Sequence, residues 1–328
     1  MDVLVLPTLG PLHLVQPRYN AVTLLELTRA FRPDAVLLGS YSEEGLEAGW
    51  WRDQEELGLF HLLPWTERDQ VPVVAIGEKA EALRGEAERF REYLEQMEKG
   101  QQYLDQERQW QEELAEVLNR PLSPTDVTGD VVLDALRRYH DRLQEVFGEG
   151  PATGFREERM RQVAERLGQL PDGRYVLWID LFDLPALLKH ERTFHFPTNH
   201  TPSEAERARA IMDRAWLLKE GDDWAGLLEQ LREIGTPEAG YLAAQIYLAA
   251  GQIADSATLL EQVVEGDFHE PGYLPGYVLA RLGQVRDLLG ERDRAIRAYQ
   301  GVLALSWAPE EAREIAIAGM RTPFKIEL

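Results

Sequence analysis

The stretch DVLVLPTL at residues 2–9 is a short apolar run that ends at Gly10 and Pro11. An apolar run without polar alternation is typical of a strand that is buried on both faces, as in parallel sheets. Residues 35–39, AVLLG, form a second such run, and the apolar spacing over residues 19–31 predicts a helix between the two. The N-terminal segment therefore predicts a strand–helix–strand unit of an α/β sheet.

Two further apolar runs extend the predicted sheet along the chain. VPVVAIG at residues 71–77 is the next strand candidate, and RYVLWID at residues 174–180 follows a Pro-Asp-Gly turn at residues 171–173. Strands that alternate with helices favour parallel pairing through right-handed crossovers. We therefore predict an α/β fold with a mostly parallel sheet and helices on both faces.

A long helical segment interrupts this alternation. From residue 78 to residue 119 the composition changes to Glu, Arg, Gln and Leu, and apolar residues recur three to seven positions apart. This pattern predicts two amphipathic helices with a break near Lys99 and Gly100, followed by a third helix over residues 130–147. Because a strand pattern returns afterwards, we predict a helical insertion over about residues 78–147 within an α/β domain that spans residues 1–195.

The C-terminal third of the chain has a different pattern. Residues 189–203, KHERTFHFPTNHTPS, lack periodicity and predict a domain boundary, and the sequence is helical in pattern from there on. Small and aromatic residues over 282–303 match the tetratricopeptide pattern, and a similar segment lies around Gly251. Gly251 and Gly290 are 39 residues apart, against about 34 in a regular repeat. We predict an all-α domain of tetratricopeptide-like repeats over residues 203–328, which would bind a protein or peptide.

Composition and net charge indicate which binding partners and which kinds of site are disfavoured. The 57 acidic and 35 basic residues give a formal net charge of -22, which disfavours binding to nucleic acids or anionic membranes. The chain has no cysteine, which excludes disulfides and thiolate metal sites. Asp2 occupies a position where a signal peptide carries basic residues, and no apolar run reaches the roughly 18 residues of a membrane span. We therefore expect a cytoplasmic protein that contacts neither nucleic acid nor membrane.

Polar residues near the ends of two predicted strands form the strongest candidate site. His13 follows the first strand, where ligands of α/β sheets bind and where an imidazole can ligate a metal or transfer protons. Glu158 and Arg159 lie in the first turns of a predicted helix, and Asp183 follows the strand over residues 174–180. We predict that these four residues share one cleft. The alternative interpretation is a structural histidine and a solvated helix face with weak surface ion pairs.

Three further histidines, His190, His195 and His200, lie within eleven residues. Their spacing of five places them on no common helix face and matches no usual zinc-binding pair. We interpret them as residues of the linker between the two domains.

Several short motifs together resemble a known superfamily. They are a Gly-x-x-His turn at residues 10–13, Pro-Asp-x-Val-Leu-Leu at 33–38, Arg-x-Glu-Arg-Met at 156–160 and Leu-Pro-x-Leu-Leu at 184–188. In this order, with a helical insertion between them, the segment of about residues 1–190 is similar to the TraB/Tiki/ChaN-like superfamily, which includes erythromycin-esterase-like proteins. Membership implies one of several functions, because relatives are associated with metal-dependent proteolysis, ester hydrolysis or haem binding.

The resemblance also implies which residues belong to the site. His13 matches the histidine of the superfamily, and Glu158 with Arg159 matches its Glu-Arg pair. Two positions depart from the pattern: Gly39 replaces a glutamate, and residues 180–183, Asp-Leu-Phe-Asp, replace Gly-x-x-His. The departures remove one carboxylate and one imidazole from a divalent metal's ligand set, although Asp183 can ligate a hard cation.

These observations leave three interpretations open. The preferred one is a binding module with a degenerate cleft and a repeat domain for protein–protein interaction, which holds little tightly bound transition metal. The alternative is a metal-dependent hydrolase in which His13, Glu158 and Asp183 hold a divalent metal ion or activate water, with Arg159 beside them. In the third, the repeats dock on the α/β domain and shape a homodimer.

Overall fold

The computed structural model describes residues 1–53, 56–78, 80–190 and 193–326. The chain divides into two compact units, Met1–Glu206 and Arg207–Leu328. We call the first the α/β unit, because it contains the sheet, and the second the helical unit. Glu191 and Arg192 of the predicted boundary segment lie outside the described residues.

The sheet of the α/β unit has four parallel strands in the order β1-β4-β2-β3. The strands are β1 (Asp2–Thr8), β2 (Ala35–Leu38), β3 (Val73–Ala75) and β4 (Arg174–Asp180). The predicted α/β class and parallel pairing are therefore confirmed. In the register of β1 and β4, Thr8 lies opposite Asp180, so the two strands end side by side. Polar residues at these ends consequently face the same edge of the sheet.

Trp178 of β4 fixes the position of two helices. Its indole is 1% exposed, and Nε1 donates a hydrogen bond to Thr28 Oγ1 on α1 (Ala21–Phe31) at 3.0 Å. On the other helix, α4 (Leu57–Arg68), a Cβ added at Gly58 would lie 2.7 Å from Trp178 Cζ3. A side chain at position 58 would therefore push the start of α4 away from β4. This contact also positions Glu56, which caps the N-terminus of α4.

The remaining helices of the α/β unit follow the order of the chain. They are α2 (Glu43–Ala48), α3 (Trp50–Asp53), α5 (Ala80–Glu95), α6 (Glu98–Leu118), α7 (Pro124–Val127), α8 (Asp130–Phe147), α9 (Arg156–Gln169) and α10 (Leu184–Leu187). A short 3-10 turn, Gly10–Val15, follows β1. The helix predicted over residues 130–147 is found with the same bounds.

The break in the helical insertion lies earlier than the sequence predicts. It falls between α5 and α6, at residues 96–97, whereas the prediction was a break near Lys99 and Gly100. Gly100 lies inside the first turn of α6, and a Cβ there would overlap the backbone of Leu94. Gly100 is therefore required for the close approach of α6 to the end of α5, which is the physical reason for a glycine at this position.

The described residues of the helical unit form helices joined by short turns. The helices, including one that starts just before the division, are α11 (Glu204–Trp216), α12 (Trp224–Ile234), α13 (Pro237–Ala249), α14 (Ile253–Glu265), α15 (Leu274–Leu288), α16 (Arg292–Ala304) and α17 (Glu310–Arg321). Gly251 follows α13 and Gly290 follows α15, each with a φ of 76°. A positive φ favours glycine, so both turns depend on this residue type.

One tyrosine ring lies between two glycines in the helical unit. A Cβ added at Gly283 of α15, or at Gly319 of α17, would overlap the ring of Tyr299 on α16. The Tyr299 hydroxyl donates to Asp287 Oδ2 at 3.0 Å. Gly283 therefore lies at a tight contact between α15 and α16, and its partner there is Tyr299.

Among the described residues, the helices are either too short or too polar to cross a membrane.

Candidate functional site

A cleft of about 390 Å³ opens at the carboxyl ends of β1, β2 and β4. Thr8 ends β1, Asp180 ends β4, and Gly39 and Ser40 follow β2, so the sheet topology brings these residues to the cleft. This is the edge of a parallel sheet at which α/β proteins bind ligands. Further charged side chains reach the cleft from the elements around it: Glu56, Glu78, Arg156, Arg159 and Asp183.

Arg159 and Asp183 form an ion pair in the cleft. Arg159 Nη2 donates to Asp183 Oδ1 at 2.5 Å, and Nη1 donates to the carbonyl oxygen of Gly154 at 2.8 Å. The Asp183 side chain is 7% exposed. Gly154 has a φ of 61°, a conformation that favours glycine, and so presents its carbonyl to the guanidinium. The Arg159 guanidinium is consequently fixed from two sides.

Arg156 is held far more loosely than Arg159. Its Nε lies 3.5 Å from the same Asp183 oxygen, and this buried atom has no hydrogen-bond partner among the described residues. Burial lowers the pKa of Arg156, although an arginine stays charged at neutral pH. The Arg156 side chain lines the cleft and is 16% exposed. Arg156 is therefore a weakly paired cation that lines the cleft.

Two acidic side chains of the cleft, Glu56 and Asp180, have raised pKa values. Glu56 is 5% exposed, and its Oε1 accepts a hydrogen bond from the Gly58 amide at 3.3 Å. Burial raises the pKa of Glu56 to about 7, with a smaller contribution from the charge of Asp180. The Thr8 hydroxyl and the Gly58 amide oppose this rise in pKa.

Asp180 is the group that links Glu56 to the arginine side. Its Oδ1 accepts a hydrogen bond from the Phe182 amide at 2.7 Å, and its own amide donates to Ser40 Oγ at 2.8 Å. Asp180 is an exposed residue at the end of β4, and it lines the cleft. Desolvation, followed by the charge of Asp183, raises the pKa of Asp180 to about 6, and the charges of Arg159 and Arg156 oppose the rise. Near neutral pH, Glu56 and Asp180 can thus each exchange a proton.

His13 is not part of the cleft, contrary to the prediction from its position after β1. Its side chain is fully buried in the 3-10 turn, where Nε2 accepts from the Leu9 amide at 3.0 Å and Nδ1 donates to the Tyr19 carbonyl at 2.8 Å. Both ring nitrogens are thereby occupied by backbone groups. Burial lowers the pKa of His13 to about 4, so the ring is neutral at pH 7.

Glu158 also lies away from the cleft. Its side chain is 49% exposed, and Oε1 accepts from Gln162 Nε2 at 2.9 Å and from Arg161 Nη2 at 2.5 Å. These hydrogen bonds, led by those of Arg161, lower the pKa of Glu158 to about 2. Successive helical residues point about 100° apart, so a helix that directs Arg159 into the cleft directs Glu158 elsewhere.

The predicted set of four residues therefore separates into two groups. The structure brings Arg159 and Asp183 together, whereas His13 and Glu158 are engaged elsewhere. The metal ligand set His13, Glu158 and Asp183 is consequently not assembled. Within the described ranges, no group of three or more histidine, aspartate or glutamate side chains is arranged to hold a metal ion.

The linker histidines contact different groups. His195 Nε2 lies 2.8 Å from Asp2 Oδ1, and His200 Nε2 lies 2.8 Å from Glu206 Oε2. His195 also lies beside β1, because its amide donates to the Val3 carbonyl at 2.9 Å. The His195 and His200 imidazoles thus lie beside two different carboxylates, Asp2 and Glu206.

Sequence reasoning missed three residues of the cleft. Arg156 lies at the start of a predicted helix and Asp180 at the end of a predicted strand, but their residue types alone do not distinguish them from their charged neighbours. Glu56 is the hardest of the three residues to recognise from the sequence, because it lies in an acidic segment. The only pointer to it is the apolar run at residues 57–63, LGLFHLL, which places residue 56 at a helix N-terminus.

Comparison with known proteins gives no relative. No family model matches the chain, and no curated protein and no solved structure matches it.

Proposed function

We propose that the chain is a cytoplasmic binding protein with two parts: an α/β unit that holds a small anionic ligand in its cleft, and a helical unit that binds a protein or peptide. The observation that carries the first part is the state of Arg156. It lines the cleft, and its one ion-pair contact in the described structure, to Asp183, is 3.5 Å long, so its positive charge is only weakly paired.

The neighbouring residues favour an anion at this position. Arg159 is held by Asp183 and Gly154, so the two guanidinium groups share a single carboxylate. The charge of Asp180 also acts on both arginines, but from beyond ion-pair distance, so an anionic group on the ligand would add a second partner in direct contact. Guanidinium groups match carboxylate and phosphate oxygens in geometry, and such charge-assisted hydrogen bonds are about twice as strong as neutral ones. The ligand class is therefore a small carboxylate or phosphate.

A binding role is favoured over the metal-dependent hydrolase. That alternative requires donor atoms from His13 and Glu158, but backbone groups occupy both nitrogens of His13, and Arg161 and Gln162 occupy Glu158. Recruiting either residue would break these hydrogen bonds. The cleft provides charged groups for recognition without such a rearrangement.

The proposal also treats residues 1–190 as a TraB/Tiki/ChaN-like domain with an altered site, and residues 203–328 as tetratricopeptide-like repeats. The parallel sheet with a helical insertion supports the first assignment. Glycine turns at the same place in two successive helix pairs, and the close contact of Gly283 with Tyr299, support the second. Helix pairs of this kind stack so that one surface of the array is available to a peptide.

Isothermal titration with acetate, succinate and inorganic phosphate tests the anion site. We expect binding of at least one of these anions by the wild type and a loss of about tenfold or more in Arg156→Gln. Arg161→Gln is the matched control, because Arg161 lies on the same helix but pairs with Glu158 and Glu165 on the exposed face. Equal losses in both variants, or no binding of any of these anions, would refute the proposal.

A further inference from the structure

The charged groups of the cleft are distributed unevenly. Both arginines lie within 4 Å of Asp183, at 2.5 Å for Arg159 and 3.5 Å for Arg156. No basic side chain of the described residues lies within 4 Å of Glu56 or Asp180. Glu78, which also lines the cleft, pairs with Arg166 at 3.7 Å. The cleft therefore has a cationic side and an acidic side.

The acidic side has hydrogen bonds but no counter-charge at ion-pair distance. Asp180 Oδ1 accepts from the Phe182 amide and Glu56 Oε1 from the Gly58 amide, which leaves acceptor capacity on both carboxyl groups. A buried carboxylate such as that of Glu56, which is 5% exposed, is unfavourable unless a cation or a proton compensates its charge. The raised pKa values of both groups agree with this geometry, although the charges of Arg159 and Arg156 partly offset the rise for Asp180.

An ammonium group suits the acidic side better than a metal ion. Ammonium has three N–H donors and needs no fixed coordination geometry, so two carboxyl groups and one hydroxyl can satisfy it. Thr8 and Ser40 supply hydroxyl groups on the same wall. A divalent metal ion prefers six or more oxygen ligands at short distances, and the described residues provide no group of three acidic or histidine side chains for it.

We propose that the ligand of the cleft is a small zwitterion, with its carboxylate or phosphate at Arg156 and its ammonium group between Glu56 and Asp180. The inference rests on the proposed anion site and adds the second recognition element. It identifies the ligand class as aminocarboxylates or aminoalkyl phosphates.

The test compares matched ligands on the wild-type protein. ω-Amino acids from glycine to 6-aminohexanoate are titrated beside the carboxylic acids that lack the amine and the amines that lack the carboxylate. Aminoalkyl phosphates of the same lengths form a second arm, which distinguishes the two anionic groups. We expect one zwitterion to bind at least tenfold more tightly than both of its matched fragments.

Variants then assign the contribution of the ammonium group. Asp180→Asn keeps an oxygen that can accept the hydrogen bond from the Phe182 amide. In Asp180→Asn and in Glu56→Gln, the zwitterion should lose its advantage in affinity over the plain anion. Glu165→Gln, an exposed carboxylate on α9 that pairs with Arg161, should leave that advantage unchanged. Thermal unfolding of each variant verifies that it is folded at the temperature of the titration.

The outcomes separate the two proposals. If anions bind and the added ammonium gives no gain, the zwitterion inference is wrong and the anion site stands. If the gain persists in both Asp180→Asn and Glu56→Gln, the ammonium lies elsewhere and the inference is likewise wrong. If neither anions nor zwitterions bind, both proposals fail. The comparison of ligands uses only the wild type, so it remains decisive even if a variant does not fold.

Discussion

Asp183 Oδ1 accepts a hydrogen bond from Arg159 at 2.5 Å and lies 3.5 Å from Arg156 Nε, so one buried carboxylate oxygen is a counter-charge for two guanidinium groups. The two arginines are three residues apart on α9, a spacing that places both side chains on one face of the helix. Asp183 reaches them from the turn before α10. The arrangement connects the helix that follows the insertion with the end of β4, next to the cleft.

Replacement of Asp183 by asparagine should destabilise the protein by about 2–4 kcal/mol, because two partly buried arginines lose their shared counter-charge. Urea unfolding followed by circular dichroism measures this change. Glu165→Gln serves as the control, since Glu165 pairs with Arg161 on the exposed face of the same helix. An unchanged unfolding midpoint in Asp183→Asn would show that the pairing contributes nothing to stability.

Replacement of Glu56 by glutamine should change how stability depends on pH. The folded protein raises the pKa of Glu56 from 4.5 to about 7, so between these values the folded state binds more protons than the unfolded state. This contribution to stability is therefore largest below pH 4.5 and is lost as the pH rises through 7. Glu56→Gln should be more stable than the wild type at pH 8, by roughly 2–3 kcal/mol, and equal to it near pH 4.5.

Denaturant unfolding at a series of pH values measures the effect of Glu56. Asp180 contributes in the same direction, since its pKa rises to about 6, so the wild-type curve reflects both groups. The difference between Glu56→Gln and the wild type isolates one of them. A difference that is the same at pH 4.5 and pH 8 would contradict the assignment.

The strands could be predicted from the sequence because strands buried on both faces consist of uninterrupted apolar residues. Residues 174–180 were predicted with the bounds that β4 has, since a turn at one side and polar residues at the other delimit the run. The strand order could not be predicted, because β4 joins β1 to β2 although it follows both by more than a hundred residues. That order is what places Asp180 beside Thr8.

Residue type alone was a poor guide to the candidate site. His13 and Glu158 have suitable chemistry, but their hydrogen bonds to backbone groups and to Arg161 depend on side-chain directions that no motif specifies. Arg159 and Asp183 were paired correctly because a helix start and a strand end meet at the same edge of a parallel sheet. Glu56 became a candidate only when the fold placed the start of α4 against Trp178.

Replacement of His13 by alanine should reduce stability and leave metal content unchanged. The variant leaves the Leu9 amide and the Tyr19 carbonyl without their buried partner, which costs about 2–4 kcal/mol. We expect little tightly bound transition metal in the wild type, and the same amount in the variant. Thermal unfolding and elemental analysis of protein purified without chelator measure the two quantities. Loss of about one equivalent of metal in His13→Ala alone would reinstate the hydrolase.

The packing of Tyr299 between two glycines makes a prediction for the helical unit. Gly283→Ala should destabilise the helical unit by about 1–3 kcal/mol, because the added methyl group overlaps the Tyr299 ring. The hydrogen bond to Asp287 and the facing Gly319 hold that ring in place.

Gly301→Ala is the matched control on α16. Its added Cβ would lie 3.3 Å from the Leu279 side chain, which can move, and alanine favours the helix. We therefore expect Gly301→Ala to be neutral or stabilising, by up to about 1 kcal/mol. Thermal unfolding of the two variants and the wild type gives the comparison, and equal midpoints for Gly283→Ala and Gly301→Ala would reject close packing of α15 on Tyr299.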